Sequence, residues 1–118
     1  MIDTKIVDNS ASSTGYATNK HACPNTNDKV FLLSTTEVSN ANYSFTSNSK
    51  RRKWQSDYAL SQGVHKDNTS NTSMWWVRSP NDYYTHWART VYHDGHLNVD
   101  DGVNHTYYGI VPALWIIL

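Results

Sequence analysis

The residue types with the most chemistry to offer are concentrated between Asn81 and Tyr108, where Asn, Asp, His, Tyr and Thr fill 19 of the 28 positions. Tyr supplies a rigid amphipathic ring, and the smaller polar side chains supply adaptable hydrogen bonding, a combination typical of ligand-contacting loops. Histidine and aspartate also bind metals and transfer protons in other proteins. The segment therefore has three candidate chemistries: ligand contact, metal binding and catalysis.

Metal binding is suggested by His93-Asp94-Gly95-His96, in which two imidazoles flank a tight turn. A stable site needs three or four ligands with supporting hydrogen bonds. The spacing of Asp82, Asp94, Asp100 and Asp101 is not that of an EF-hand either. We therefore expect exposed histidines at a hairpin tip, no metal and no cofactor.

Catalysis has little support in the sequence. Cys23 is the only cysteine, which excludes an internal disulfide, and it lies in His21-Ala22-Cys23-Pro24. A neighbouring histidine lowers a thiol pKa, but a nucleophile also needs a third group that orients its base, and none is recognisable here. Glu37 is the only glutamate, and a helix-capping role accounts for it. We predict that the protein is not an enzyme.

The composition of the segment also indicates how it arose. It contains no Lys, Glu, Gln or Ser, although all four occur earlier in the chain. Lys, Glu and Gln need a purine in the third codon position, whereas Asn, Asp, His, Tyr and Thr are reached from an Asn codon by changes at adenines alone. Trp87 cannot be reached in this way, so it is either fixed or an exception to the rule. The pattern favours a diversified binding surface over 81–108; a polar, loop-rich edge without a special role is the alternative.

Length and charge limit the class of protein. The 118 residues predict one domain over 1–118. Zero net charge and a pI near 7.0 argue against a nucleic-acid partner, and the basic run Lys50-Arg51-Arg52-Lys53 is typical of a solvated loop or helix start. No stretch approaches the roughly 18 apolar residues of a membrane span, and the first 20 residues lack the apolar centre of a signal peptide. We expect no membrane span and no export signal in this chain.

The elements that precede the segment are predicted to be short. Residues 1–28 form a polar lead-in, in which Ile6-Val7 marks an edge strand or a poorly ordered start. Val30-Phe31-Leu32-Leu33 predicts a buried strand. Ser34-Thr35-Thr36-Glu37 has the spacing of a capping box, so a short helix should begin there. Residues 40–49 resemble a loop.

A second helix and a strand follow. Ser56 to Gly63 is typical of a short helix, with Ser56 or Asp57 as its cap and Gly63 as its left-handed end. Met74-Trp75-Trp76-Val77-Arg78 predicts a strand that ends at Ser79-Pro80. Its two tryptophans must face opposite sides of the sheet.

The last third of the chain predicts a hairpin and a closing strand. Asp94-Gly95 lies between strand-like runs at 88–93 and 96–100, which is a strong hairpin signal. Residues 102–108 should form an exposed connection, and 109–118 a buried strand with Pro112 at its start or at a bulge. The predicted fold class is α+β, with short helices and a mostly antiparallel sheet.

Three segments carry a resemblance to a known bacterial family: Asp28-Lys29-Val30-Phe31-Leu32-Leu33-Ser34; Asp57-Tyr58-Ala59 with Gly63; and Trp75-Trp76-Val77-Arg78-Ser79-Pro80 with Gly109-Ile110-Val111-Pro112-Ala113-Leu114-Trp115. Over roughly residues 5–118 the chain resembles C-type-lectin-fold domains distantly related to formylglycine-generating enzymes. Some members are variable proteins of diversity-generating retroelements in gut bacteria and their phages.

The resemblance implies a rigid lectin-like scaffold whose last strands and loops carry hypervariable, ligand-facing side chains. Trp75, Trp76, Pro112 and Trp115 would belong to the scaffold. Tyr83, Tyr84, Tyr107 and Tyr108 could form a stacking platform. The implied ligand-binding residues are Asn81, Asp82, Tyr83, Tyr84, His86, Arg89, Tyr92, His93, His96, Asn98, Asp100, Asp101, Asn104, His105, Tyr107 and Tyr108.

The resemblance implies a protein or glycan as the ligand, and a place at a cell surface or virion within a larger assembly. Calcium-dependent sugar binding is not expected, because the Glu-Pro-Asn, Gln-Pro-Asp and Trp-Asn-Asp triplets of sugar-binding lectins are absent. Copper chemistry is not expected either, because the related enzymes use a pair of cysteines. The alternatives are a structural module of a larger surface or tail protein and an enzyme related to formylglycine-generating enzymes.

Two departures from the family bear on stability. Val111 stands where an arginine usually precedes the proline. The family's N-terminal hairpin and its helix with a W-x-x-S-x-x-R-x-W-L pattern have no match in this sequence. The chain is therefore a shortened version, a fragment, or one half of an assembly in which another chain supplies these elements.

Overall fold

The computed structural model of the chain describes residues 4–6, 24–81, 84–97 and 99–118. Its elements are short, as the frequent turn residues predict. The strands are β1 (Thr4–Ile6), β2 (Thr26–Asp28), β3 (Phe31–Leu32), β4 (Trp75–Pro80), β5 (Trp87–Val91), β6 (Val99–Gly102), β7 (Gly109–Ile110) and β8 (Pro112–Ala113). The α-helices are α1 (Asn48–Arg51) and α2 (Asp57–Ser61), and 3-10 helices cover Glu37–Ser39 and Ala41–Tyr43.

A four-stranded sheet in the order β6-β5-β4-β7 organises the second half of the chain. Its pairs β4–β5 and β5–β6 are antiparallel, whereas β4–β7 is parallel. Two further antiparallel pairs join β1 to β2 and β3 to β8. The predicted α+β class, with short helices and mostly antiparallel sheets, is confirmed. Ile6 lies in β1, so the strand alternative holds for that part of the lead-in.

The predicted hairpin is confirmed between β5 and β6, which pair from Trp87 opposite Gly102 to Thr90 opposite Val99. The turn is closed by the Gly95 N–H, which donates to the Tyr92 carbonyl at 2.9 Å. Gly95 has a φ of +91°, and a Cβ there would lie 1.8 Å from the Asn48 carbonyl oxygen. The turn thus requires glycine both for its backbone conformation and for its contact with α1.

The core lies on one face of this sheet. Trp75, Val77 and Val91 pack there against Val38, which comes from the 3-10 helix Glu37–Ser39. Burial alternates along β4, with Trp75 buried and Trp76 half-buried, so the two tryptophans do face opposite sides. Partly buried side chains complete this core: Leu33, Phe45, Leu97 and Val111.

The predicted capping box is confirmed at the start of the first 3-10 helix. The Ser34 N–H donates to Glu37 Oε2 at 2.7 Å, and the Glu37 N–H donates to Ser34 Oγ at 3.1 Å. The Glu37 carboxylate also forms an ion pair with Arg78 on β4. A local cap therefore also ties the helix to the central sheet.

The predicted caps of the second helix are confirmed as well. Ser56 is the N-cap of α2, and its Oγ accepts the Ala59 N–H at 3.1 Å. Gly63 follows the helix with a φ of +92°, as expected for a left-handed end.

The basic run has a structural role. Arg51 Nε donates to the Gly95 carbonyl at 3.0 Å, and Arg52 Nε donates to the Asp94 carbonyl at 3.1 Å. The run closes α1 rather than starting a helix, because α1 ends at Arg51. These two hydrogen bonds connect the hairpin turn to the first half of the chain.

Two sequence-based predictions were wrong. The stretch 40–49, predicted as a loop, contains the helix Ala41–Tyr43 and the start of α1. Asn40 accounts for the first, because its side chain accepts the Asn42 N–H at 2.9 Å and caps it. Strand β4, in contrast, ends at Pro80 as predicted, and Pro80 lies opposite Ala88 after a shift in register.

The second error concerns the end of the chain, where a continuous buried strand was predicted. Only Gly109–Ile110 and Pro112–Ala113 are strands, and each has two residues. Ile116, Ile117 and Leu118 are exposed by 56, 79 and 108%. An apolar run indicates that its side chains favour burial. They become buried only where another element of the fold packs over them.

In the part of the chain that the structure describes, no helix has the length and apolar character needed to cross a membrane.

Candidate functional site

A cavity of about 130 Å³ lies where the segment 81–108 meets the loop before β4. We call it the tyrosine cavity. It combines aromatic rings with imidazoles, a carboxylate and a thioether. The residues that line it are His65, Asp67, Thr72, Met74, Tyr92, His93, Tyr107 and Tyr108.

Backbone hydrogen bonds bring the walls of the tyrosine cavity together. The His65 N–H donates to the Tyr107 carbonyl at 2.9 Å, which fixes the loop before β7 against the loop before β4. The Thr72 hydroxyl donates to the His93 carbonyl, which adds the hairpin end of β5. Three separate segments thus meet at one point, held mainly by main-chain groups.

Asp67 supplies the carboxylate of the cavity and is held by its own turn. Its Oδ1 accepts the N–H groups of Thr69 and Ser70 at 3.0 and 2.7 Å, and the Ser70 hydroxyl at 2.9 Å. The hydrogen bonds from Ser70 lower the pKa of the Asp67 carboxyl below its ordinary value. The Nδ1 of His93 lies 3.6 Å from the same oxygen. The carboxylate is therefore fixed and ionised at neutral pH.

Aromatic rings form the opposite wall. Tyr107 and Tyr108 meet edge to face with ring centroids 4.7 Å apart, and His105 stacks on Tyr107 at 5.1 Å. Tyr108 packs on Trp76 at 5.0 Å, on the face of the sheet opposite the core. On the hairpin side, the rings of Tyr92 and His93 lie 4.1 Å apart. Such contacts restrict the rings and so preorganise the surface.

Asp101 on β6 contacts two residues of this aromatic wall. It accepts a hydrogen bond from the Tyr108 hydroxyl, and its other oxygen lies 2.7 Å from His105 Nδ1. Burial raises the pKa of the Tyr108 hydroxyl well above its ordinary value, and the Asp101 carboxylate raises it further. Tyr108 is therefore a protonated donor throughout the physiological range.

A second group of rings, Tyr84, His86 and Trp87, forms what we call the aromatic corner at the start of β5. Tyr84 lies 5.0 Å from Trp87 and 5.7 Å from His86. The Val103 N–H donates to the His86 carbonyl at 3.0 Å. The loop 103–108 therefore runs from the aromatic corner to the tyrosine cavity.

The predicted ligand-binding residues fall into four groups in the structure. Those with exposed side chains are Tyr84, His86, Tyr92, His96, Asn104 and Tyr107. Those that are half-buried are His93, Asp100, Asp101 and His105. Those that are buried are Asn81, Arg89 and Tyr108. Asp82, Tyr83 and Asn98 lie outside the described residues.

The buried residues support the surface instead of forming it. Asn81 Oδ1 accepts the Tyr84 N–H at 2.6 Å and so shapes the turn of the aromatic corner. Arg89 is 3% exposed and forms an ion pair with Asp100 at 2.7 Å across β5 and β6. The codon pattern does not distinguish such positions from exposed ones, because it carries no information on burial.

The two histidines of the hairpin have different surroundings. His93 contacts Asp67 and Ser70, whereas the Nδ1 of His96 lies 3.0 Å from Asp94 Oδ2. Among the described residues, no group of three or more His, Cys, Asp or Glu side chains could hold a metal ion. Cys23 lies outside the described residues.

Sequence reasoning missed half of the tyrosine cavity. Its inner wall comes from the stretch 65–74, of which the sequence analysis above covers only Met74, at the start of the predicted strand. The Asp67-Asn68-Thr69-Ser70 order does predict a side-chain-capped turn. No local signal, however, indicates that this turn packs against Tyr107 and His93.

A larger cavity, of about 290 Å³, lies outside the segment 81–108. It is bordered by the approach to α2 and by β7, with Trp54, Ala59 and Ile110 among its lining residues. Its walls are mainly apolar and include none of the predicted ligand-binding residues.

Comparison with known proteins gives one family. The family described as "Domain of unknown function (DUF6273)" matches residues 1–118. No curated protein matches the chain, and no solved structure matches it.

Proposed function

The chain belongs to the family of the domain of unknown function DUF6273, and we propose that it is a ligand-binding domain. In this proposal, the tyrosine cavity and the aromatic corner contact a protein or glycan on a cell or on a phage host. The mechanism is surface complementarity: a fixed backbone presents aromatic anchors, and polar side chains between them adjust to the ligand.

One observation carries the proposal. Four residues that the resemblance implies as ligand-binding, Tyr92, His93, Tyr107 and Tyr108, line the same cavity although they come from two separate stretches of chain. Tyr92 and Tyr107 remain 36 and 41% exposed. Concave sites with aromatic walls and a few convergent polar groups are typical of ligand binding.

The aromatic corner supports the same function. Tyr84 and Trp87 are 45 and 38% exposed, yet they pack on each other at 5.0 Å. Exposed aromatic side chains that are already ordered lose little entropy when they bind, so they act as anchors.

We further propose that the scaffold is a C-type-lectin-like fold and that the segment 81–108 varies through a diversity-generating retroelement. The sequence resemblance supports the first of these proposals. The diversification proposal is supported by the absence of Lys, Glu and Gln from the segment. We propose no enzymatic activity, because the sequence offers no recognisable nucleophile with a base and a third group that orients it.

The test is binding to an array of bacterial surface glycans and purified surface proteins. We expect the wild-type chain to bind at least one of these, and the double variant Tyr92→Ala/Tyr107→Ala to bind it at least about tenfold more weakly. Tyr58→Ala is the matched control, because Tyr58 is a 74% exposed tyrosine on α2 that does not line the tyrosine cavity.

Circular dichroism of each variant would show whether the fold is retained. Equal affinities for wild type and the folded double variant, towards a ligand that also tolerates loss of Tyr84, would contradict the proposal. Loss of binding in Tyr58→Ala alone would place the binding surface elsewhere.

A further inference from the structure

We propose that the tyrosine cavity binds a positively charged alkylammonium group of the ligand, supplied by a lysine side chain or by an amino sugar. This inference rests on the proposed function, because it names the chemistry that the same site recognises. It follows from the charge, the wall composition and the size of the cavity.

Charge gives the first argument. Among the residues that line the cavity, Asp67 carries the formal charge, and no lysine or arginine is present among them when histidine is counted as neutral. The carboxylate is ionised at neutral pH because its turn donates three hydrogen bonds to Oδ1. An anionic group would be repelled, whereas a cationic group would gain a partner.

The walls give the second argument. Tyr92, Tyr107 and Tyr108 supply three rings, and the thioether of Met74 adds a polarizable contact. Ammonium groups are attracted to the faces of aromatic rings, and several rings around one cation form the site typical of choline and methyl-lysine recognition. A carboxylate beside such rings adds charge without closing the cavity.

Size gives the third argument. The cavity of about 130 Å³ corresponds to roughly four water molecules at about 30 Å³ each. It accommodates an ammonium group with the carbons next to it, and excludes a whole oligosaccharide. The rest of the ligand would then lie over Tyr107 and along the loop 103–108.

Met74 makes a direct test available. The chain has two methionines, Met1 and Met74, so labelling with 13C-methyl methionine gives one reporter in the cavity and one reference. The Met74→Leu variant assigns the signals. The probes are two matched pairs at pH 7, each differing by an acetyl group that removes the charge: glucosamine against N-acetylglucosamine, and Nα-acetyl-lysine amide against its Nε-acetylated form.

We expect the charged member of at least one pair to shift the Met74 signal, and its acetylated counterpart to shift it much less. The pair that responds identifies the source of the ammonium group. Asp67→Asn keeps an oxygen for the turn and removes the charge, so it should weaken binding of the charged probe about tenfold. Asp57→Asn, which removes an exposed carboxylate on α2, should leave it unchanged.

Equal shifts from charged and acetylated probes would overturn the inference while leaving a ligand-binding cavity in place. No shift of Met74 by any of the four probes would also overturn it. The proposed function is judged separately, because the array experiment depends on the tyrosine rings and not on charge.

Discussion

The hydroxyl of Tyr108 donates a hydrogen bond to the carboxylate of Asp101, and this bond joins the loop before β7 to the edge strand β6. Tyr108 is 8% exposed and also packs on Trp76, so it lies between the sheet and the exposed ring of Tyr107. The site therefore has two layers. A buried tyrosine fixed by a carboxylate supports an exposed tyrosine that is free to meet a ligand.

This relationship predicts a pH dependence of stability. The pKa of Tyr108 is raised in the folded protein, so the contribution to stability is complete below the ordinary tyrosine pKa of about 10 and is lost as pH rises towards the folded value. Thermal unfolding measured from pH 8 to 11 should show stability falling above about pH 10. In Tyr108→Phe this part of the fall should be absent.

The same variant should be less stable than wild type at neutral pH by about 1–2 kcal/mol, because Asp101 loses a partially buried donor. Chemical denaturation measures this difference. A Tyr108→Phe protein with unchanged stability and an unchanged alkaline limb would show that the Tyr108–Asp101 bond does not contribute.

Gly95 and Gly63 provide a matched pair for testing how the hairpin turn is fixed. Both have φ near +90°, but a Cβ on Gly95 would meet the Asn48 backbone, whereas one on Gly63 would have nothing within 4 Å. Gly63→Ala should cost about 1 kcal/mol for the left-handed conformation. Gly95→Ala should cost clearly more, because the backbone of α1 must also move. Equal losses in denaturant unfolding would rule out the close approach.

The Glu37–Arg78 ion pair should be the strongest link between the capping box and the sheet. Its side chains are 24 and 11% exposed, and Arg78 Nη1 also donates to the Leu32 carbonyl at 2.7 Å. Glu37→Ala should destabilise the domain by about 2–3 kcal/mol, since it removes both the cap and the partner of a partly buried cation.

Glu37→Gln isolates the charge, because an amide oxygen can still accept the Ser34 N–H. We expect it to lose about half as much stability as the alanine variant. If Glu37→Ala and Glu37→Gln were equally stable, the hydrogen bond of the cap would contribute nothing to stability beyond the contribution of the charge.

The aromatic corner should contribute to affinity unevenly. Truncating Tyr84 or Trp87 to Ala removes a ring that is already packed against its neighbour, so we expect about tenfold weaker binding to a ligand found on the array. Asn104→Ala, at an exposed position on the same loop as Tyr107, should be nearly neutral. Titration calorimetry with the three folded variants would measure this, and a larger loss for Asn104→Ala would show that polar contacts dominate.

The sequence predicted local structure better than long-range contacts. The Ser34–Glu37 capping box, the Ser56 cap, the Gly63 helix end and the Asp94-Gly95 hairpin are all confirmed, because each depends on a few neighbouring residues. The buried closing strand was wrong, because burial at 109–118 depends on a covering layer that no local pattern specifies.

The candidate site shows the same division. The resemblance implied Tyr92, His93, Tyr107 and Tyr108 as ligand-binding residues, but it could not reveal that the Asp67 turn completes their cavity. The implied set also included Arg89, and nothing in the neighbouring sequence indicates that its guanidinium is buried against Asp100. Exposure is a property of the fold, so a codon rule alone overestimates the contact surface.

We propose above that this surface is diversified for binding, and sequencing the encoding locus in related isolates tests this proposal most directly. We predict a nearby, nearly identical repeat beside a reverse transcriptase gene, with differences at template adenines. The resulting changes should fall at exposed positions such as Tyr84, Tyr92 and Tyr107 and should spare buried Asn81 and Arg89. A segment 81–108 that is unchanged across isolates, with no such repeat, would contradict the account.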